Sequence, residues 1–192
     1  MKPCWAKNGY QVIYADPPWR YSAYSGRAKG SAESHYPTMD PEALRALPVG
    51  ALAHEDCALF LWVTMPCLQE GLLLLEAWGF SYKTVAFVWL KQNRRADSLF
   101  MGLGSWTRSN AELCLLAVRG RPRRRDAGVR QIILSHVGEH SRKPEAARER
   151  ILQLMGDVPR IELFARERAE GWDVWGNEVE SDISMPESRN GG

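Results

Sequence analysis

What the chain lacks narrows its class first. None of its four cysteines stands in a C-x-x-C pair and no His-x-x-x-His accompanies them, so no metal is expected. Cys57 and Cys114 sit in apolar runs and read as small core hydrophobes. No hydrophobic stretch approaches the roughly 20 residues of a membrane span; the leucine run at residues 72–75 is far too short. The first residues (MKPCWAKNGY) carry no apolar signal-peptide segment, so a cytoplasmic location away from membranes is expected. The formal net charge is only +2, so bulk electrostatics alone does not argue for a polyanionic partner. No repeat occurs, and no G-x-G-x-x-G follows the first strand-like run. Gly102-Leu103-Gly104 is a partial match inside a loop and is rejected as a dinucleotide fingerprint.

What is present reads as one α/β domain. The length of 192 residues suits a single core. A single domain is expected over residues 1–180, followed by a disordered polar tail at residues 181–192 (SDISMPESRNGG). Apolar, β-branched runs predict strands at residues 11–16, 57–63, 82–90, 112–118, 131–135, 160–164 and 172–175. Helices are predicted at residues 40–47, with Asp40 as cap and Pro41 in the first turn, at 66–78 with Gly79 as the stop, and at 144–155 with Gly156 as the stop. Strands alternating with helices, several apolar throughout, predict a mostly parallel central sheet with helices on both faces. In such sheets ligands bind beyond the carboxyl ends of strands, where Asp16 and Phe164 both fall. Residues 20–34 and 91–110 read as long loops, a length that inside compact domains goes with function or disorder.

The sharpest motif is Asp16-Pro17-Pro18-Trp19 after the first apolar strand. It suits an exocyclic purine amine, whose lone pair is delocalised into the ring. A carboxylate accepts one amino hydrogen and a proline carbonyl the other, which holds the nitrogen toward tetrahedral geometry. Trp19 is expected to offer a stacking face to the base. Taken alone, the motif also reads as a turn that ends a strand. Basic residues cluster in the loops. Arg121, Arg123, Arg124 and Arg125, with Arg94, Arg95 and Arg108 upstream, are candidate phosphate contacts, against the alternative of a solvated arginine loop.

Across residues 12–178 the chain resembles the MT-A70 family of N6-adenine methyltransferases. The resemblance rests on YADPPW, HYPTM (residues 35–39), LFLWVT (59–64), WGF (78–80), GSWTRSNAELCLLAVRG (104–120), SRKPE (141–145), IELFAR (161–166) and WGNE (175–178), in the family's order. It implies a Rossmann-like fold, with the catalytic motif ahead of the cofactor motif, and S-adenosyl-L-methionine as cofactor. By resemblance Asp16, Pro17, Pro18 and Trp19 are catalytic. Tyr36 either touches the target adenine or caps the methionine moiety. Lys143 pairs with the cofactor carboxylate at a helix N-terminus. Leu163, Phe164 and Arg166 border the cofactor's adenosine, Asn177 and Glu178 its ribose, and Asp16 lies against it. Glu178 departs from relatives with Gln, and Glu167 is an acid that some of them lack. Trp106, Arg108, Asn110 and Glu112 fall in a second active-site loop, with Asn110 and Glu112 as braces to the sheet. His35 reads as a solvated loop histidine, not a base.

The expected activity is methylation of adenine N6 in nucleic acid, with DNA favoured over RNA because the chain lacks accessory recognition modules. An RNA adenosine enzyme and a non-catalytic nucleic-acid-binding scaffold are the alternatives. N4-cytosine methylation is a minor option, since such enzymes carry Ser in place of Asp16. A side-by-side homodimer is one arrangement the resemblance allows.

Overall fold

A computed structural model describes residues 8–20, 38–102, 104, 106–138 and 142–186. Seven strands form one sheet: β1 (Tyr10–Ala15), β2 (Ala53–Val63), β3 (Ser81–Gln92), β4 (Ala111–Arg119), β5 (Ile132–His136), β6 (Arg160–Leu163) and β7 (Asp173–Trp175). Their order across the sheet is β5-β3-β4-β2-β1-β6-β7. Four neighbouring pairs are parallel, and only β4 runs against its two neighbours. The expected mostly parallel α/β sheet is therefore what the chain forms. Among the described residues three α-helices cover it: α1 (Pro41–Ala46), α2 (Leu68–Ala77) and α3 (Glu145–Met155).

Side-chain alternation sorts the sheet into two cores. Ile13, Ala15, Leu59, Leu61 and Val63 pack with Leu44 of α1 and Leu74 and Leu75 of α2. Val12, Tyr14, Phe60, Trp62, Phe87 and Trp89 pack with Ala147 and Ile151 of α3 on the other side. Helices thus lie on both faces. Asp40 caps α1 by accepting the Glu42 N–H at 2.9 Å. The turn at Met65–Cys67, with Pro66 inside it, is a 3-10 helix, and so α2 begins two residues later than the predicted 66. Gly71 lies so close to β2 that a Cβ there would meet Val63 Cγ1 at 2.5 Å. Trp78, just past α2, donates its indole N–H to the Leu44 carbonyl at 3.0 Å and locks the two helices together.

Two expectations need correction. β2 begins at Ala53, before the apolar run, because its polar start pairs with Tyr10 across a bulge. Residues 181–186, expected within a disordered tail, are tied to the sheet edge. Asp182 accepts from the Val174 N–H at 3.1 Å and pairs with Arg168, and Ile183 and Met185 pack against the core. A polar stretch can order when its acids meet backbone donors and its few apolar residues find a crevice. Residues 187–192 lie outside the described residues. Among the described residues, no helix is long and apolar enough to cross a membrane.

Candidate active site

β1 lies between β2 and β6 and runs parallel to both, so the carboxyl ends of three strands meet at one edge. Asp16 is the first residue beyond β1. Alternation from Ala15 turns it toward the face that α3 covers. There Lys143 Nζ lies 2.7 Å from Asp16 Oδ2 and 3.3 Å from Glu112 Oε2. Lys91, near the end of β3, bonds the second Glu112 oxygen. Two carboxylates and two ammonium groups thus alternate in a chain, Asp16–Lys143–Glu112–Lys91, across β1, β4 and β3. Lys143 also sits 5.7 Å over the Trp62 ring, and the Trp62 indole N–H donates to the Tyr14 hydroxyl at 2.7 Å, which walls the chain on its buried side.

The four groups are not electrostatically equivalent. Burial pushes the Asp16 carboxyl above its usual range, and Lys143 only partly offsets this. Burial also opposes charge on Glu112, but Lys143 and Lys91 together outweigh it and hold that carboxyl below the usual range. Burial opposes charge on Lys143 too, and the two carboxylates reverse it and raise its pKa. Glu112 is therefore the firm counter-ion, and Asp16 is the more easily perturbed one, with a side chain 23% exposed toward the edge.

The prolines fix the turn. The Pro17 carbonyl accepts the Trp19 N–H at 2.8 Å, a bond that occupies only one of its two lone pairs. The Pro18 carbonyl accepts the Met39 N–H at 2.9 Å. Trp19 does not present a stacking face, contrary to expectation. Its side chain is core, the residue is 8% exposed, and its indole N–H donates to the Trp62 carbonyl at 2.9 Å. A large apolar ring next to an open hydrophobic crevice is stabilised by burial there. Tyr36, with His35 and Pro37, lies outside the described residues.

The second half of the site adjoins the first. Pro144 precedes α3 with no side-chain cap on the helix. Arg148 in the first turns of α3 reaches Glu162 at 3.1 Å and Glu167 at 3.2 Å, and so clamps the helix start onto the end of β6. Beyond the buried Leu163, Phe164 adopts φ 60°, a left-handed conformation that bulky residues avoid. Its ring meets Trp175 edge-on at 5.4 Å. Arg166 pairs with Glu178 at 3.7 Å and is close enough to lower the Asp16 pKa. Asn177 and Glu178 are exposed in the turn after β7, at this same edge.

The basic residues divide. Arg94, Arg95 and Arg108 are exposed between β3 and β4, on the Asp16 edge. Arg121, Arg123, Arg124 and Arg125 follow β4, whose reversed direction delivers them to the opposite edge. There the Arg125 N–H bonds the Leu154 carbonyl at the far end of α3, and Arg124 lines a 470 Å³ cavity with Phe87, Leu116 and Met155. The structure therefore separates this arginine run from Asp16. Glu112, expected only as a brace, is instead part of the charged chain, and Lys91, Trp62 and Tyr14 join the site beside it. Glu112 carries a signal in the sequence: in ELCLLAV it shares alternation with Cys114, which marks a carboxylate on a buried face.

The MT-A70 family model matches residues 10–178. The chain belongs to the MT-A70 family of methyltransferases. A type II methyltransferase from a Mycoplasma species, M.MunI, is 39% identical over 196 aligned positions, covering 92% of this chain and 81% of that protein. An Arabidopsis thaliana MT-A70-like N(6)-adenosine-methyltransferase is 32% identical over 88% of this chain but only 24% of its own length. The human N(6)-adenosine-methyltransferase catalytic subunit METTL3 is 29% identical over 89% of this chain and 28% of its length. The chain thus spans about a quarter of these plant and animal MT-A70 relatives.

Proposed function

We propose that this chain transfers a methyl group from S-adenosyl-L-methionine to N6 of adenine in DNA. The observation that carries the reading is the pairing, at one strand end, of the Asp16 carboxylate with the Pro17 carbonyl, each holding acceptor capacity. Lys143 opposes the pull of burial on Asp16 and favours its carboxylate form, which can accept one amino hydrogen while the Pro17 oxygen accepts the other. That arrangement draws the amine out of conjugation and orients its lone pair. It needs no general base ahead of transfer, because the nitrogen becomes acidic once alkylated.

The residues fit the cofactor. The uncapped N–H groups at the start of α3, together with Lys143, suit a carboxylate. The left-handed turn at Phe164, over the buried Leu163, offers an apolar surface to a purine, and Asn177 and Glu178 offer partners for ribose hydroxyls. When bound, S-adenosyl-L-methionine supplies an electrophilic methyl on a sulfonium. Alignment of the amine by Asp16 and Pro17 is then the protein's main contribution.

DNA is chosen over RNA because the relative matched along most of both lengths is the type II methyltransferase, whereas the adenosine methyltransferases are about four times longer. The test is transfer of tritiated methyl to single-stranded DNA, duplex DNA and RNA, followed by nucleoside analysis. Label in N6-methyldeoxyadenosine, lost in Asp16→Ala with the fold retained, is expected. Label in N4-methylcytosine, in RNA alone, or undiminished in Asp16→Ala overturns the proposal.

A further inference from the structure

The connection between β3 and β4 is a built finger rather than a slack loop. At its base the Lys91 N–H donates to the Asn110 carbonyl at 3.0 Å, and the Phe100 N–H returns to the Lys91 carbonyl at 2.8 Å. Further out the Gly102 N–H donates to the Ser109 carbonyl at 2.9 Å. Two glycines make the narrow tip. A Cβ on Gly102 would collide with the Ser109 carbonyl oxygen, and one on Gly104 with the Thr107 carbonyl oxygen, so no other residue fits either place without opening the turn. What this tip carries is Trp106, 99% exposed, with Met101 72% exposed on the same connection. Trp19, Trp62, Trp78, Trp89 and Trp172 are by contrast all in the core.

The finger stands on the edge that holds Asp16 and is mechanically joined to it. Its base residue Lys91 also bonds Glu112, which holds Lys143 against Asp16. Arg94, Arg95 and Arg108 are exposed on the same connection. An exposed aromatic ring among cations suits one class of partner in particular, a nucleic-acid strand, whose phosphates take the arginines and whose bases stack on the ring. With Trp19 buried, it is also the exposed indole that the described part of this edge offers.

We propose that Trp106 stacks on a base flanking the target adenine and, in a duplex, occupies the space that the extruded adenine leaves. This rests on the nucleic-acid reading above and adds to it the residue that holds the strand open. Extrusion leaves an unstacked neighbour, and an apolar side chain at the vacated step offsets that loss.

The test compares full-length wild type with Trp106→Ala and Trp106→Phe. Binding to a fluorescein-labelled single-stranded oligonucleotide and to its duplex is read by anisotropy, and melting temperature and S-adenosylmethionine binding serve as controls. Loss of one base stack is expected to weaken binding by Trp106→Ala on the order of 10- to 100-fold, with Trp106→Phe recovering most of it. Melting and cofactor binding should stay at wild-type values. Once a methylated site is mapped, 2-aminopurine in place of the target adenine should brighten less with Trp106→Ala in the duplex. The loss of kcat/KM should be larger on the paired duplex than on one with the target adenine mismatched, where extrusion is easier. Unchanged oligonucleotide binding in Trp106→Ala overturns the inference, as does a change in oligomeric state with binding intact, which would assign the ring to a protein contact. Wild type that binds DNA through Trp106 yet transfers no methyl group would refute the methylation reading while leaving this one standing.

Discussion

Removing one charge from the Asp16–Lys143–Glu112–Lys91 chain should have very different effects depending on which charge is removed. Lys143→Met takes the cation out from between two carboxylates whose oxygens it holds at 2.7 and 3.3 Å. Breaking a buried ion pair by removing one partner typically costs about 3–5 kcal/mol. Glu112 keeps Lys91, and Asp16, 23% exposed, can hydrate or take up a proton, so the cost falls to about 3 kcal/mol here. In a chain this long that lowers Tm by roughly 6–12 °C. Asp16→Asn keeps the shape and leaves Lys143 with Glu112. Because burial already disfavours the Asp16 charge, the loss should be about 1 kcal/mol or less. Urea unfolding followed by far-ultraviolet circular dichroism, with the double variant to close the cycle, gives both numbers. Equal costs for the two substitutions, or a larger one for Asp16→Asn, would refute the assignment of Glu112 as the firm counter-ion. The two variants should agree in another respect: both should abolish methyl transfer.

Three further outcomes follow from geometry. Replacing Arg94, Arg95 and Arg108 by alanine should weaken DNA binding and flatten its salt dependence by about one unit of slope for each phosphate no longer neutralised; the same change at Arg123, Arg124 and Arg125, on the opposite edge, should leave methyl transfer on the same DNA near wild type. Gly71→Ala should destabilise the fold by about 1–2 kcal/mol in denaturant titration, because overpacking against Val63 outweighs the gain in helix propensity. Burial raises the Glu162 carboxyl to about 7 from an ordinary 4.5, despite Arg148. The folded state then keeps a proton that the unfolded chain releases, so the contribution of Glu162 to stability should be full below about pH 4.5 and decline by up to about 3 kcal/mol as pH rises through 7. Glu162→Gln should remove that decline, and a pH series of unfolding curves that keeps its slope in this variant would count against it.

The sheet is legible in the sequence because its signals are local. Apolar runs such as CALFLWV and ELCLLAV allow little besides buried strands, and Asp40-Pro41 announces a helix start. The strand end at Asp16 and the helix after Lys143 are legible for the same reason. What composition does not show is direction. Nothing in the β4 residues says that this strand runs backwards, yet that reversal decides which arginines stand near Asp16 and which do not. Nor does it show how far a side chain travels to its partner. Trp19 reads as an open ring because its sequence neighbours are functional, but the Trp62 carbonyl that fixes it is 43 residues away. The ionic role of Glu112 and Lys91 is hidden for a related reason, since their meeting with Lys143 spans separate elements.

The reversal of β4 has a consequence for how such a chain diversifies. Because β3 and β4 run in opposite directions, the segment between them leaves and re-enters the sheet at the same edge, and its own hydrogen bonds close it at Lys91 and Asn110. Its length is therefore almost free: doubling a closed loop costs only about 0.6 kcal/mol. The parallel connections have no such latitude, since each must carry the chain from one edge to the other. Segments of different size can be exchanged at this position while the carboxylate, the lysine and the strands that hold them stay as they are, which makes the hairpin a graft point on the Asp16 edge.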